Sequence, residues 1–266
     1  MIRRIAQSLF FVGALVAIAC VDMSAPKGAA SISMLLLPSP SVVVGDTMRD
    51  SNGVAAPLRV IAYDKNDAPI PDLAAQFFIT DSGAVGHLDK SNIVVGDKQG
   101  LIHIVGQVSG VQTLPVDVPV TVAPKVFAST TKSDTLIVPL TKTGDTTAAS
   151  SNFAPITATL KGVGDTASLK FVVKYELKSA PASVPGNLPA VFLTDDAGKI
   201  ARTDTTDASG ASRKLVVRSG LLADPSLASG GKTDSAVVIM SVSYKGKPVP
   251  GSPLRVVVPI KVRLGG

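Results

Sequence analysis

The segment Val116-Asp117-Val118-Pro119-Val120-Thr121-Val122 alternates in hydrophobicity with period two, which is typical of a β-strand with one buried face. Near the end of the chain, Val258-Pro259-Ile260-Lys261-Val262 repeats the pattern. A proline inside a strand removes a backbone hydrogen-bond donor, so both strands are predicted to lie at sheet edges. The two segments indicate two β-rich units, each closed by a similar strand.

The composition favours the same class. The 266 residues include one Glu against 19 Asp, together with 23 Gly and 19 Pro, and Asp, Gly and Pro favour turns over helices. Short aliphatic runs are separated by turn-forming clusters about every 8–12 residues, which predicts an all-β sandwich or barrel. At roughly 100–200 residues per domain, the length allows one or two domains.

Three further blocks recur in the same order in both halves of the chain. Residues 60–64 match 172–176, residues 76–81 match 190–195, and residues 97–100 match 207–210. These blocks are 110 to 114 residues apart, whereas the closing strands are 140 apart (258 − 118). The repeat predicts domains over 31–124 and 125–266, with an inserted hairpin or long loop around residues 221–247 of the second.

These blocks resemble the bacterial immunoglobulin-like (Big) domains of invasin and intimin-type surface proteins. The resemblance is carried by the Val-Val-Val-Gly-Asp-Thr opening at 42–47, a Phe-x-x-Thr-Asp-Ser segment at 77–82, and the Asp-Ala-Ser-Gly turn at 207–210. It implies two immunoglobulin-like β-sandwich domains in tandem. Such short motifs identify a fold better than a function.

The N-terminus reads as an export signal. Arg3 and Arg4 precede an apolar run at 9–18, and Ala19-Cys20 follows. This arrangement resembles a bacterial lipoprotein signal, which implies cleavage between Ala19 and Cys20, a lipid on Cys20, and a tether over 20–30. Cys20 is the only cysteine, which favours lipidation. Ordinary cleavage and an uncleaved anchor are the alternatives, and Asp22, one place beyond the position of an inner-membrane signal, favours the outer membrane.

Catalytic and metal-binding patterns are missing from the sequence. His87 and His103 are the only histidines and lack metal-ligand spacing, and no nucleophile elbow or glycine-rich phosphate loop is present. We therefore expect no enzyme activity and no cofactor. Asp-rich turns could supply oxygen ligands for calcium, although β-turn chemistry explains them without an ion; the candidates are Asp64, Asp67, Asp195, Asp204 and Asp207.

Charge is distributed unevenly between the two halves. Residues 31–124 carry 5 basic and 9 acidic side chains (−4), and residues 125–266 carry 18 and 10 (+8). This asymmetry predicts a protein or anionic envelope-glycan partner for the C-terminal strands, or else a solvated surface. Nucleic acid is not expected, because an aromatic stacking platform is missing. The candidate partner-binding residues are Lys245, Lys247, Arg255, Lys261 and Arg263.

Taken together, these features predict a non-enzymatic, lipid-anchored protein of the bacterial cell envelope, exposed in the periplasm or at the surface. Its tandem domains would serve adhesion, spacing or scaffolding. An accessory subunit of a larger envelope complex is one alternative. A polysaccharide- or peptidoglycan-binding module is another, which the absence of Trp and the 3 Tyr disfavour.

Overall fold

The computed structural model describes residues 29–263 except 71–72, 82–83, 132–133, 143, 147–151, 187 and 229–230. The predicted signal, Ala19 and Cys20 lie outside these residues. The predicted all-β class is confirmed, since helical structure in the described part amounts to a four-residue α-helix at Pro225–Ala228 and short 3₁₀ turns at Val163–Asp165 and Ser219–Leu221. In that part of the chain, no helix has the length and apolar character needed to cross a membrane.

The described residues of the first sandwich form nine strands. The main sheet has the order β2-β9-β7-β4, with β8 paired to β7, and two-stranded sheets β1-β3 and β5-β6 accompany it. The β2-β9 pair is parallel and the others are antiparallel. The strands are β1 (Ser31–Leu36), β2 (Val42–Val43), β3 (Arg59–Tyr63), β4 (Gln76–Ile79), β5 (Gly86–Leu88), β6 (Val94–Gly96), β7 (Gly100–Val108), β8 (Val111–Gln112) and β9 (Val116–Thr121).

The second sandwich is larger. Its sheets have the orders β10-β12-β16-β14 and β11-β20-β17-β13-β15, and a small hairpin β18-β19 projects from them. This is the strand order of an immunoglobulin-like sandwich, with four strands in one sheet and the last strands in the other. The strands are β10 (Val126–Ser129), β11 (Leu136–Pro139), β12 (Phe153–Lys161), β13 (Val172–Ser179), β14 (Val191–Thr194), β15 (Thr203–Thr205), β16 (Ala211–Val217), β17 (Thr233–Ser241), β18 (Ser243–Tyr244), β19 (Lys247–Pro248) and β20 (Leu254–Arg263).

Each sandwich has its own hydrophobic core. In the first, the alternating segment buries Val118 and Val120 and leaves Asp117 exposed, as a strand with one buried face requires. The core of the second includes Ile156, Leu215 and Ile260. Residues 122–125 connect the last strand of one sandwich to the first strand of the other.

The range predicted as an insertion, 221–247, contains the central strand β17 together with the loop before it and most of the β18-β19 hairpin. β17 pairs with both β20 and β13, just as β7 pairs with both β9 and β4. The repeat had matched β7 to β16, which lies in the opposite sheet between β12 and β14. An Asp-x-x-Gly unit specifies a chain reversal but not the strand that follows it, so the matched turns precede non-equivalent strands.

The two proline-containing strands are not edge strands, contrary to the prediction. β9 lies between β2 and β7, and β20 lies between β11 and β17. The parallel partner begins just after each proline, since β2 pairs from Val120 and β11 pairs from Ile260. At each proline, the strand is paired with its antiparallel neighbour on one side, and the parallel neighbour on the other side has not yet begun. The missing N–H of the proline therefore removes no hydrogen bond from the sheet.

Candidate functional site

The strongest concentration of polar contacts lies where the two sandwiches meet. Asp46 follows β2 in a tight turn, in which its N–H donates to the carbonyl of Val43 and Gly45 adopts a φ of +73°. Glycine favours this left-handed conformation. The turn places the Asp46 carboxylate against the second sandwich, with 8% of its side chain exposed.

Asp46 binds side chains from both sandwiches. Arg49, from its own sandwich, donates from Nη2 at 2.8 Å and from Nε at 3.1 Å. From the β18-β19 hairpin of the second sandwich, the Tyr244 hydroxyl donates at 2.5 Å and the Lys245 ammonium lies at 3.3 Å. We call these four residues the junction cluster. It is a carboxylate shared between two folded units.

Electrostatics keep the Asp46 carboxylate ionised at neutral pH. Burial alone would raise the pKa of Asp46, but the hydrogen bonds from Arg49, Tyr244 and Lys245 outweigh burial and hold that pKa well below its usual range. Burial raises the pKa of the Tyr244 phenol, and the hydrogen bond to Asp46 raises it further. Tyr244 therefore remains a donor and Asp46 an acceptor, and a charge-assisted bond of this kind is stronger than a neutral one.

Backbone contacts bring the same surfaces close together. A Cβ atom on Gly53 would lie 2.0 Å from the backbone nitrogen of Gly246, so only glycine fits there. Elsewhere in the junction, the backbone N–H of Leu169 donates to Oγ1 of buried Thr121 at 2.8 Å. The hydroxyl of Ser41 donates to the carbonyl of Lys170 at 3.4 Å. These contacts join residues before the linker at 122–125 to residues after it, so the two sandwiches pack directly against each other.

An aromatic pair and a small cleft complete the junction. The rings of Phe171 and Tyr244 meet edge to face with centroids 6.0 Å apart, a favourable arrangement for aromatic side chains. Beside them is a cleft of about 160 Å³, lined by Pro40, Arg49 and Lys174 among others. This volume is below that of a typical small-molecule site.

The five predicted partner-binding cations occupy two different places. Lys245 belongs to the junction cluster, and Lys247 is exposed on the same hairpin. Arg255, Lys261 and Arg263 all point outward from β20, where exposed and buried residues alternate. The C-terminal cations therefore divide between the junction and one sheet face.

The calcium candidates serve mainly as turn residues. One Asp207 carboxylate oxygen accepts from the N–H groups of Ser209 and Gly210. Asp64 and Asp195 accept backbone N–H groups within their own turns. Asp204 pairs with Arg213 at 3.1 Å, and Asp67 adopts a positive φ of 59°. Within the described ranges, no three His, Cys, Asp or Glu side chains form a group that could hold a metal ion.

The two histidines bind neighbouring carboxylates in the first sandwich. His103 contacts Asp81 through Nδ1 at 2.9 Å and Asp117 through Nε2 at 3.4 Å. The bond to Asp81 raises the pKa of His103. His87 contacts Asp97 at 2.7 Å. His87 lies exposed on β5 and His103 half-buried on β7.

Sequence reasoning missed the centre of the junction cluster. Asp46 was quoted only as part of the family motif at 42–47, and neither Arg49 nor Tyr244 was singled out. Arg49 could have been found, since a cation three residues after an acid is a local signal. Tyr244 is 198 residues from Asp46, and no pattern in a single sequence connects residues so far apart.

Comparisons with known proteins show only distant similarity. No protein-family model and no curated protein matches the chain. Domains 4 and 5 of the S-layer protein SbsC share 14% identity over 88% of this chain and 99% of theirs, with a TM-score of 0.31. The Yersinia pseudotuberculosis adhesin InvE shares 16% identity over 88% of this chain and 61% of its own, with a TM-score of 0.33. The Escherichia coli adhesin FdeC shares 12% identity over 88% of this chain and 66% of its own, with a TM-score of 0.28.

Proposed function

We propose that the chain is an exported, membrane-anchored and non-enzymatic protein of the bacterial cell surface, in which the two sandwiches act as one rigid spacer. The single observation that carries the rigid-spacer role is the Asp46 carboxylate, bound by Arg49 of its own sandwich and by Tyr244 and Lys245 of the other. A spacer transmits a fixed distance and orientation. Domains joined only by a linker would move independently.

The short connection supports the same role. Residues 122–125 leave little chain between β9 and β10, and the bond between Leu169 and Thr121 lies beside it. Separation of the sandwiches would break the hydrogen bond from Tyr244 to Asp46 and the ion pair between Lys245 and Asp46. The junction therefore favours one relative orientation.

Distance measurement between spin labels tests rigidity directly. In a Cys20→Ser background, Lys90→Cys and Lys199→Cys place one exposed label on each sandwich. We expect a narrow distance distribution by electron–electron double resonance, which Asp46→Ala broadens. Asp97→Asn is the matched control, because the Asp97 carboxylate binds His87 within the first sandwich. A broad distribution in the parent protein, or no response to Asp46→Ala, would contradict the rigid spacer.

The anchor is tested separately. Mass spectrometry of the mature protein should find Cys20 as the first residue, carrying acyl chains. Cys20→Ser should move the protein from the membrane fraction to the soluble fraction, since several acyl chains hold a protein at a bilayer and their loss releases it. A mature chain that begins elsewhere, or carries no lipid, would remove the anchor from the proposal and leave the spacer role in place.

A further inference from the structure

The outer face of the larger sheet in the second sandwich is both basic and apolar. Register places Arg255 beside Ile239, Val257 beside Val237, and Lys261 between Thr233 and Ile137. Ile137 is 54% exposed. We call this surface the basic face. Among the described residues, its unpaired cations are Lys174, Arg255, Lys261 and Arg263, its apolar residues are Ile137, Val237, Ile239 and Val257, and its carboxylate is Glu176, which lies 3.9 Å from Lys178.

The cations of the basic face are available for a partner. Lys174, Arg255, Lys261 and Arg263 form no salt bridge with any residue that the structure describes. Glu176 lies two strands away from Arg255, across Ile239. The face is therefore a positively charged surface with a half-buried apolar centre and the exposed side chain of Ile137 at its edge.

The equivalent sheet of the first sandwich has the opposite sign. On its outer face, Phe78 is 44% exposed and Leu101 is 42% exposed. His103 lies between Asp81 and Asp117 on the same side, so two carboxylates flank one imidazole. We call the surface of Phe78, Leu101, Asp81, His103 and Asp117 the acidic face. Its sandwich carries a net charge of −4, against +8 for the other.

We propose that the acidic face of one copy of this chain docks on the basic face of a second copy. Both faces carry exposed apolar side chains, and the charge of one face is opposite in sign to the charge of the other. This complementarity favours association and selects the acidic face as the partner of the basic face. No hydrogen bond or salt bridge of the described residues joins the two faces within one chain. An anionic membrane would engage the basic face but would leave Phe78 and Leu101 without a partner.

This contact is heterologous, because the two docking surfaces differ. A docked pair leaves one acidic and one basic face free, so the association either closes into a ring or continues as an open assembly. The inference needs neither the membrane anchor nor the rigid junction. It predicts growth beyond a dimer.

Sedimentation of the chain from residue 20, carrying Cys20→Ser, tests the association. At low salt and submillimolar concentrations, the weight-average mass should rise beyond that of a dimer. High salt should weaken the association by at least about tenfold, because it screens exposed charges beyond a few ångströms. A parent protein that stays monomeric at low salt would overturn the proposal.

Two complementary variants distinguish this contact from any other. Arg255→Glu with Lys261→Glu disables the basic face, and Phe78→Ser with Asp117→Lys disables the acidic face. Each variant alone should be monomeric, whereas an equimolar mixture should form a dimer that grows no further. Circular dichroism and thermal unfolding confirm that each variant is folded, and Lys142→Glu with Lys161→Glu changes the charge equally away from the basic face and should assemble normally.

Other outcomes count against the proposal. A mixture that stays monomeric would show that the two faces do not bind one another. Self-association of the acidic-face variant alone would indicate a symmetric contact of basic faces. Binding of the monomeric parent protein to phosphatidylglycerol vesicles, lost in Arg255→Glu with Lys261→Glu, would assign the basic face to a membrane surface.

Discussion

The phenol oxygen of Tyr244 lies 2.5 Å from a carboxylate oxygen of Asp46, although the two residues are 198 positions apart. Each belongs to a different sandwich, and each is held by its own turn or hairpin before they meet. The bond therefore reports the relative placement of two independently built units. Its removal is the most direct way to separate the stability of the junction from the stability of either core.

Tyr244→Phe should weaken the junction while leaving the cores intact. The substitution removes one charge-assisted hydrogen bond but keeps the ring against Phe171. We expect a loss of about 1–2 kcal/mol in the free energy of unfolding, since Arg49 and Lys245 still neutralise Asp46. Urea unfolding measures the change, and Tyr63→Phe in β3 is the control; an unaltered midpoint for Tyr244→Phe would contradict the role of this bond.

Gly53→Ala should lower the free energy of unfolding more than Gly198→Ala, although both glycines have the same backbone conformation. Gly53 has a φ of +82° and Gly198 a φ of +80°, but an added Cβ meets the backbone of Gly246 only at Gly53 and finds no atom within 4 Å at Gly198. Backbone strain alone predicts about 1–2 kcal/mol for Gly198→Ala. The difference in thermal stability between the two variants measures the contact of Gly53 with the backbone of Gly246. Equal losses of stability would show that these two backbone segments are not closely packed.

Stability should fall as the pH rises past the titration of His103. Its pKa is raised by Asp81, so its contribution is fully present below the ordinary histidine pKa, about 6.5, and is lost as the pH rises through the raised value. Melting temperatures between mildly acidic and alkaline pH measure this loss. His103→Gln and Asp81→Asn should both remove it, and persistence of the same slope in either variant would refute the assignment.

Calcium should leave the protein unchanged. One oxygen of the Asp207 carboxylate already accepts two backbone N–H groups and the Ser209 hydroxyl, and no three His, Cys, Asp or Glu side chains of the described residues are grouped so that they could hold a metal ion. A ligand that binds only the folded state raises the melting temperature. We therefore expect no shift with millimolar calcium, and a clear upward shift that Asp207→Ala abolishes would establish a site.

The strands could be predicted from the sequence more reliably than their positions in the sheets. Val118 and Val120 are buried and Asp117 is exposed as the alternation requires, because the two faces of a strand alternate at every residue. Turn units carry no such information, since Asp207-Ala208-Ser209-Gly210 reverses the chain before β16 as Asp97-Lys98-Gln99-Gly100 does before β7. The repeat was therefore displaced by one strand in the second sandwich.

The junction cluster could be predicted only in part, for a related reason. Arg49 is three residues from Asp46, and their pairing depends on local geometry. Lys245 was singled out as a cation but was assigned to an external partner, because nothing in the sequence places the β18-β19 hairpin beside the turn at Asp46. That placement depends on how two complete sandwiches pack.

The junction should resist mild acid and separate only at strongly acidic pH. The pKa of Asp46 is depressed in the folded protein, so its contribution to stability is complete above the pKa of an unfolded aspartate, about 3.9, and is lost as the pH falls through the lower folded value.

Asp46→Asn removes the charge, and we expect it to lower the free energy of unfolding by about 1–3 kcal/mol at neutral pH, since it leaves Arg49 and Lys245 without their counter-charge. The difference in unfolding free energy between the parent protein and Asp46→Asn should stay constant from neutral pH to about pH 5 and shrink as the pH falls below about 3.9. Chemical unfolding across this range measures the difference, with Asp97→Asn as the control. A gap that closes between pH 7 and pH 5 would mean that burial raises the pKa of Asp46 in the folded protein, and a gap that stays constant below about pH 3.9 would mean that this pKa is not depressed.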